Sequence, residues 1–183
     1  MRIRFLGTGT SFGVPAVGCD CGVCRSRDPR DFRFRASVLI ESGDTAVVID
    51  AGPEFRLQAL RAGISRLDAL LLTHAHADPV HGLDDVRPLT VERELPVYGN
   101  EPTLDEVRER FSYIFRRTQE GGGKPRVDFR AAAGTARVGS LEFVPVPVDH
   151  GELPILGWRT GSFAYVTDAS RIPESSFALL EGV

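Results

Sequence analysis

Short apolar runs of strand length recur along the chain and are separated by turns and by amphipathic stretches. Residues 1–6 alternate apolar and polar side chains and predict a first strand that leads into a glycine-rich loop. The runs 46–49 and 38–40 flank the turn-forming residues 42–44 and predict a β-hairpin. Residues 68–72, which end in the apolar run Leu70-Leu71-Leu72, predict a further, buried strand.

Two stretches carry the spacing of amphipathic helices. Residues 54–61 form the first, and Gly63 provides its stop signal. Residues 103–115 form the second, with Leu104, Val107 and Phe111 on one face. The remaining predicted elements are strands at 127–129, 141–148, 155–158 and 163–166, a flexible Gly121-Gly122-Gly123 loop, and a last helix that begins at Pro173.

Strand clusters interleaved with helices predict an α/β (α+β) fold in which helices cover the outer faces of the sheets. The 183 residues contain 42% hydrophobic side chains, enough to bury one substantial core. We therefore expect one domain over residues 1–183.

Three residues of metal-binding type alternate directly after the run 68–72: His74, His76 and Asp78. Residues two apart in an extended backbone point to the same side, so these side chains are expected to converge. Two neutral imidazoles and a carboxylate at a strand end predict a first-row metal site, with zinc favoured. The alternative, ordinary surface histidines and aspartate, is disfavoured by the position after a buried strand.

The other histidines and one more aspartate extend this prediction. The chain has 4 histidines. His81 lies near the motif, His150 follows the run 141–148, and Asp168 follows the run 163–166. His150 and Asp168 judged alone would be surface residues. Together with the first cluster they give metal-ligand residues at the mouths of three strands, which is the layout of a hydrolytic metal site.

The three cysteines, Cys19, Cys21 and Cys24, stand close together in a glycine-rich loop. An odd number at this spacing favours a metal loop over disulfides. A closed structural zinc site needs a fourth ligand, for which Asp20 or Asp28 is a candidate. Three reduced thiols without metal remain the alternative.

The net charge of −3 argues against general affinity for nucleic acid. The basic stretch from Arg25 to Arg35 fits either phosphate binding or an ordinary solvated face. No apolar run approaches membrane-spanning length, and the start lacks the features of a signal peptide. These observations predict a cytoplasmic protein that does not bind membranes.

The motif of alternating histidines and aspartate resembles the His-x-His-x-Asp-His signature of metallo-β-lactamase-fold hydrolases. Further motifs narrow the resemblance to the branch of phosphonate-pathway cyclic phosphodiesterases. They extend over nearly all of the chain: the loop 7–15, the cysteine loop 18–24, Asp50-Ala51-Gly52, Val97-Tyr98-Gly99, His150-Gly151 and Thr167-Asp168-Ala169.

The resemblance implies a four-layer αββα metallo-β-lactamase-like sandwich with two zinc ions, manganese being a possible substitute. It assigns His74, His76 and His150 to the first metal, Asp78 to the second, and Asp168 to a bridge between them. It places Asp50 behind the ligands in a supporting position. It also assigns Cys19, Cys21 and Cys24 to a structural zinc.

Two departures from the family pattern concern the second metal. Pro79 stands where the signature has its last histidine, and proline has no donor atom for a metal. His81 is more consistent with lining or supporting the site than with a ligand. The family's last histidine motif, with its strand and helix, and the histidine that completes the cysteine site lie beyond Val183. We therefore expect a C-terminally shortened domain.

The favoured function is a zinc-dependent phosphodiesterase that hydrolyses a small, cyclic phosphodiester. In this reading Asp78 is also catalytic, since it can orient the attacking hydroxide, and the loss of second-metal ligands weakens the activity. The alternative is a non-catalytic, degenerate or truncated zinc-binding paralogue, and a tRNA-maturing nuclease is less favoured. An uncovered apolar face near Val144, Val146 and Tyr165 would promote a homo-oligomer.

Overall fold

The structure is a computed structural model that describes residues 1–116 and 123–183, so most of the predicted Gly121-Gly122-Gly123 loop lies outside the described residues. The first part of the chain forms a mixed sheet of six strands in sequential order. Its first three strands pair antiparallel with one another, and the third to the sixth strands pair parallel. The strands are β1 (Arg2–Gly7), β2 (Ser37–Ser42), β3 (Thr45–Ile49), β4 (Ala69–Leu71), β5 (Leu95–Gly99) and β6 (Val127–Ala131).

The later part of the chain forms a second, antiparallel sheet of four strands. Its strand order is β10-β9-β8-β7, so the short β10 lies at an edge. The strands are β7 (Ala136–Val138), β8 (Leu141–His150), β9 (Leu153–Thr160) and β10 (Phe163–Tyr165).

Helices follow the strands of both sheets. They are α1 (Phe55–Ala62), α2 (Ala77–Val80), α3 (Glu101–Arg110), α4 (Ser112–Phe115) and α5 (Glu174–Phe177). Three 3₁₀ segments lie at Pro29–Asp31, Leu83–Thr90 and Ala178–Leu180. In the described parts of the chain, no helix combines the length and the apolar character that crossing a bilayer would require.

Both faces of the first sheet are buried, which creates the layered architecture. Val48 of β3 points into a core shared with α1 and α3, whereas Val47 and Ile49 point into a core shared with the second sheet. Trp158 of β9 lies in this inner core and is fully buried. A third apolar cluster packs the last helical turns onto the outer face of the second sheet. The fold is therefore the expected αββα sandwich.

The structure corrects part of the prediction of an uncovered apolar face at the second sheet. Val146 is fully buried, and Tyr165 is only 7% exposed. Leu179 and Leu180 of the last 3₁₀ segment pack against the cluster that contains Val146. The short final turns therefore cover the outer face at Val146, whereas Val144 is half-buried and Phe177 is 58% exposed.

The predicted helix at 103–115 is interrupted. It forms as α3 and α4, because Phe111 leaves the helical region with φ −104° and ψ 33°. The helix predicted at 54–61 forms as α1, and Gly63 ends it in the left-handed conformation with φ 69°. The short β7 and the 3₁₀ segment at Leu83–Thr90 had no periodic pattern to predict them.

Chain segments that follow strands of both sheets converge on one region. Asp50 directly follows β3, and the histidine motif follows the parallel neighbour β4. The carboxyl ends of parallel strands meet at the same sheet edge, a common place for functional residues. From the second sheet, His150 ends β8 and Asp168 lies shortly after β10.

Helix α2 is tied to the turn after β3 by backbone contacts without intervening side chains. Ala51 N–H donates to the Pro79 carbonyl at 2.7 Å, and Gly82 N–H donates to the Ala51 carbonyl at 2.8 Å. A Cβ atom at Gly82 would lie 2.1 Å from the Gly52 carbonyl oxygen. A side chain at either glycine is therefore incompatible with this close approach.

We predict that Gly82→Ala destabilises the protein by about 2 kcal/mol or more, because the added methyl group forces α2 away from the turn after β3. Urea unfolding followed by circular dichroism measures the change. Gly134→Ala is the matched control, since a Cβ atom there meets no heavy atom within 4 Å. Equal unfolding midpoints for the two variants would show that the contact is not a constraint.

Candidate metal centre

The imidazoles of His74, His76 and His150 converge where β4 and β8 end. One ring nitrogen from each lies within 4.8 Å of those of the others. The ring centroids of His74 and His76 are 4.7 Å apart, and those of His76 and His150 are 5.2 Å apart. His74 is buried, His150 is half-buried and His76 is exposed. The cluster is thus anchored in the protein on one side and open on the other.

His74 is held by a hydrogen-bond relay that starts at Asp50. The Thr73 hydroxyl donates to Asp50 Oδ2 at 2.9 Å, so its oxygen is free to accept from His74 Nδ1, also at 2.9 Å. This assignment leaves the proton on Nδ1 and a lone pair on Nε2. His74 Nε2 is buried and makes no hydrogen bond. A buried, aligned nitrogen with a free lone pair is what a metal ligand requires.

Asp50 is unusual in both conformation and environment. Its φ of 63° lies in the left-handed region, which a non-glycine residue rarely adopts. Asp50 Oδ1 accepts the Thr73 N–H at 2.9 Å, and its backbone carbonyl accepts the Ser37 hydroxyl at 2.7 Å. Burial raises the pKa of the Asp50 carboxyl well above its usual range. The strain and the desolvation both serve to place this acceptor behind Thr73.

A second group of possible ligands shares His74. Oxygens of Asp78 and Asp168 and a nitrogen of His74 lie within 4.8 Å of one another. Asp78 is in the first turn of α2, and Asp168 adopts a left-handed φ of 53°. Burial, followed by the nearby His76, lowers the pKa of His74, which favours the neutral form that binds metal. The residues present therefore fit a divalent metal.

Pro79 and His81 occupy different positions relative to these groups. Pro79 is buried within α2 and offers no donor atom. His81 belongs to neither group of possible ligands among the described residues. Its ring packs edge-to-face against Phe111, with the centroids 6.2 Å apart. His81 thus lies at the side of the site.

The cysteine loop forms a separate cluster. The sulfurs of Cys19, Cys21 and Cys24 lie within 4.8 Å of one another, and all three are free thiols. The backbone N–H of Cys24 and hydrogen bonding with Cys19 lower the pKa of Cys21 to about 7. Asp20 instead pairs with Arg25 at 3.1 Å, and Asp28 pairs with Arg30 at 2.5 Å. Neither aspartate joins the thiols as a fourth ligand in this arrangement.

Two residues at the site were not identified from the sequence. Thr73 connects Asp50 to His74, but the sequence pattern assigned it no role. Tyr165, only 7% exposed, lies near the carboxylates. Burial raises its pKa, and the charges of Asp50, Asp168 and Asp78 raise it further. The position of Thr73 directly before the first histidine was the one sequence signal for its role. Nothing in the sequence distinguished Tyr165 from a core residue.

Comparisons with known proteins agree with this geometry. Residues 45–183 match the family described as "Beta-lactamase superfamily domain". A Porphyromonas gingivalis protein named octanoyltransferase is 44% identical over an alignment of 190 positions, which covers 99% of this chain and 37% of that protein. The coenzyme PQQ synthesis protein B of Rhodopseudomonas palustris is 37% identical over 48% of this chain and 32% of its own length. The chain thus spans about a third of the length of these curated relatives.

Two solved structures extend the comparison. The Zn²⁺-bound PqqB of Methylobacterium extorquens superposes with a TM-score of 0.79 over all of this chain and 70% of that one, at 19% identity, and so shows the fold alone. The crystal structure of a diphosphatase from the PhnP family is 44% identical, with a TM-score of 0.89 over 99% of this chain and 70% of that chain. Because the family match spans most of the chain and the diphosphatase is similar in both sequence and structure, the chain belongs to the β-lactamase superfamily, in the branch of the PhnP family.

Proposed function

We propose that the chain is a zinc-dependent phosphodiesterase that hydrolyses a small phosphodiester, with a cyclic phosphodiester as the favoured substrate. The fold and the PhnP-family diphosphatase support a metal-dependent phosphoesterase. The observation that carries the proposal is that two groups of possible ligands, one of three imidazoles and one with two carboxylates, share His74. The Nε2 atom of His74 is buried and has no hydrogen-bond partner. Zinc is favoured because it prefers nitrogen and carboxylate ligands in this number, and manganese is the runner-up.

Within this proposal the ligands divide unequally between two metal positions. His74, His76, His150 and Asp168 make a complete set of four for the first position. The second position has Asp78 and the shared Asp168. His74 lies near both carboxylates but is assigned here to the first position, and Pro79 supplies no imidazole. A cation held by two carboxylates, one of them shared, binds weakly. The activity therefore depends chiefly on the first position.

When bound, the metal would polarise a phosphoryl oxygen and lower the pKa of the attacking water. The residues of the chain supply the orientation. Asp78, at the start of α2, accepts a hydrogen bond from the water and directs its oxygen toward phosphorus. The Asp50–Thr73 relay holds the His74 ring so that the ligand geometry stays constant during the reaction. The new P–O bond forms opposite the ester oxygen that leaves.

One observation favours a second candidate, a zinc-binding protein without catalytic activity. Pro79 removes a donor from the second position, and two-metal hydrolysis uses both positions to stabilise the attacking and leaving oxygens. A tRNA-maturing nuclease is less favoured, because the net charge of −3 opposes binding of a polyanion.

Hydrolysis of bis(p-nitrophenyl) phosphate separates the enzyme from the non-catalytic protein. We expect slow release of nitrophenol that depends on added zinc, stops after treatment with a chelator and is abolished in His74→Ala, because His74 belongs to both ligand groups. Circular dichroism of His74→Ala must show a folded protein. A folded, zinc-loaded wild type without activity on this diester or on a ribosyl cyclic phosphate would favour the non-catalytic alternative.

We predict that the purified chain binds one zinc ion tightly at His74, His76, His150 and Asp168. Elemental analysis after dialysis measures the content in a variant with all three cysteines replaced by serine, so that the cysteine loop does not contribute. One zinc per chain is the expected result, since only the first position has a complete ligand set. Two per chain would mean that Pro79 does not disable the second position.

We predict that Pro79→His raises the diesterase activity by about tenfold, because it adds an imidazole to the second metal position. The backbone carbonyl of residue 79, which accepts the Ala51 N–H, is unaffected by the exchange. Pro88→His is the matched control, since it adds the same ring at an exposed position of the 3₁₀ segment Leu83–Thr90. Equal activity of both variants, with unchanged zinc content in Pro79→His, would contradict the assignment of position 79.

A further inference from the structure

The guanidinium of Arg110 is anchored beside the histidine cluster. Arg110 is the last residue of α3, and its Nη1 donates a hydrogen bond to the Ala75 carbonyl. Ala75 is buried and lies between the two histidines of the motif. A guanidinium has five N–H donors, so this single bond leaves others available. Arg110 also pairs with Glu106 at 3.5 Å, but both side chains are substantially exposed, which makes this a weak neutralisation.

His81 lies on the same side of the site. It follows Asp78 by three residues, a spacing that places both on one face of α2. Its ring packs against Phe111, the residue after Arg110. Burial and the positive charge of Arg110 lower the pKa of His81, whereas Asp78 raises it. Arg110 and His81 therefore both lie next to the segment 74–78 that carries the possible ligands, Arg110 through the Ala75 carbonyl and His81 through its position after α2.

The charge of a phosphodiester substrate suggests a role for Arg110 and His81. A phosphodiester is an anion, and negative charge builds on its non-bridging oxygens during attack. Asp78 and Asp168 alone would repel it, and the weak second metal position does little to compensate. A fixed guanidinium is well suited to this task, because its planar donors match the oxygens of a phosphoryl group.

We propose that Arg110 and His81 form an anion subsite that binds the non-bridging phosphoryl oxygens of the substrate. The proposal deepens the phosphodiesterase function and rests on it for the identity of the substrate. Arg110 supplies the charge, and His81 donates a ring N–H to a second oxygen. Both residues belong to the helical layer that follows the metal motif, and neither is a metal ligand in the geometry described above.

Binding of inorganic phosphate to the zinc-loaded chain, measured by isothermal titration calorimetry, tests the subsite without requiring turnover. We expect Arg110→Gln to weaken phosphate binding by about tenfold and His81→Gln by a smaller factor of about three. Zinc content should equal that of the wild type in both.

Arg108→Gln is the matched control. Arg108 lies two residues earlier on α3 and therefore on the opposite face, where it pairs with Asp105 at 2.5 Å and covers the Phe129 ring. Its exchange should leave phosphate binding unchanged. Arg110→Lys serves as a second variant if Arg110→Gln does not fold, and we expect it to retain the charge but lose part of the affinity.

Phosphate binding in Arg110→Gln or Arg110→Lys equal to that in Arg108→Gln would overturn the subsite, as would absence of phosphate binding by the folded, zinc-loaded wild type. The diesterase assay is read separately. Selective loss of phosphate binding in a chain that hydrolyses no diester supports the subsite and rejects the proposed function. Hydrolysis by a chain whose variants all bind phosphate equally supports the function and rejects the subsite.

Discussion

The hydrogen-bond relay from Asp50 through Thr73 to His74 is the interaction on which the candidate centre depends. It lies in the buried seam where the carboxyl end of β3 meets that of β4, and it determines which nitrogen of His74 keeps its lone pair. Without it, a buried imidazole next to two aspartates would have no fixed tautomer or orientation. The relay also explains how a carboxyl group is accommodated in the interior at Asp50, since both its oxygens accept hydrogen bonds from Thr73.

The rest of the fold positions partners around that fixed ring. The second sheet contributes His150 at the end of β8 and Asp168 shortly after β10. The contact between the Gly52 turn and Gly82 holds α2 so that Asp78 lies close to His74. Packing on both sides of the first sheet keeps these segments in register. The centre is therefore a property of the sandwich as a whole, although its chemical groups come from short segments.

The sequence was most informative where one local pattern determines the outcome. Alternation after a buried strand predicted that His74 and His76 project together, and the stop at Gly63 followed from its freedom to adopt a left-handed turn. The break at Phe111 and the burial of Val146 were not predictable in this way, because both depend on packing between distant segments. The approach of Arg110 to Ala75 spans 35 residues and has no local signature.

The left-handed backbone at Asp50 narrows the range of residues that this position can accept. Glycine would relieve the conformational strain but would remove both acceptors from Thr73. Asparagine tolerates the same conformation, yet its amide group would set an N–H donor against a donor of Thr73. Glutamate would lengthen the side chain within a fully packed seam. Each of these three substitutions of Asp50 is therefore unfavourable for a different physical reason, which makes position 50 one of the least replaceable in the chain.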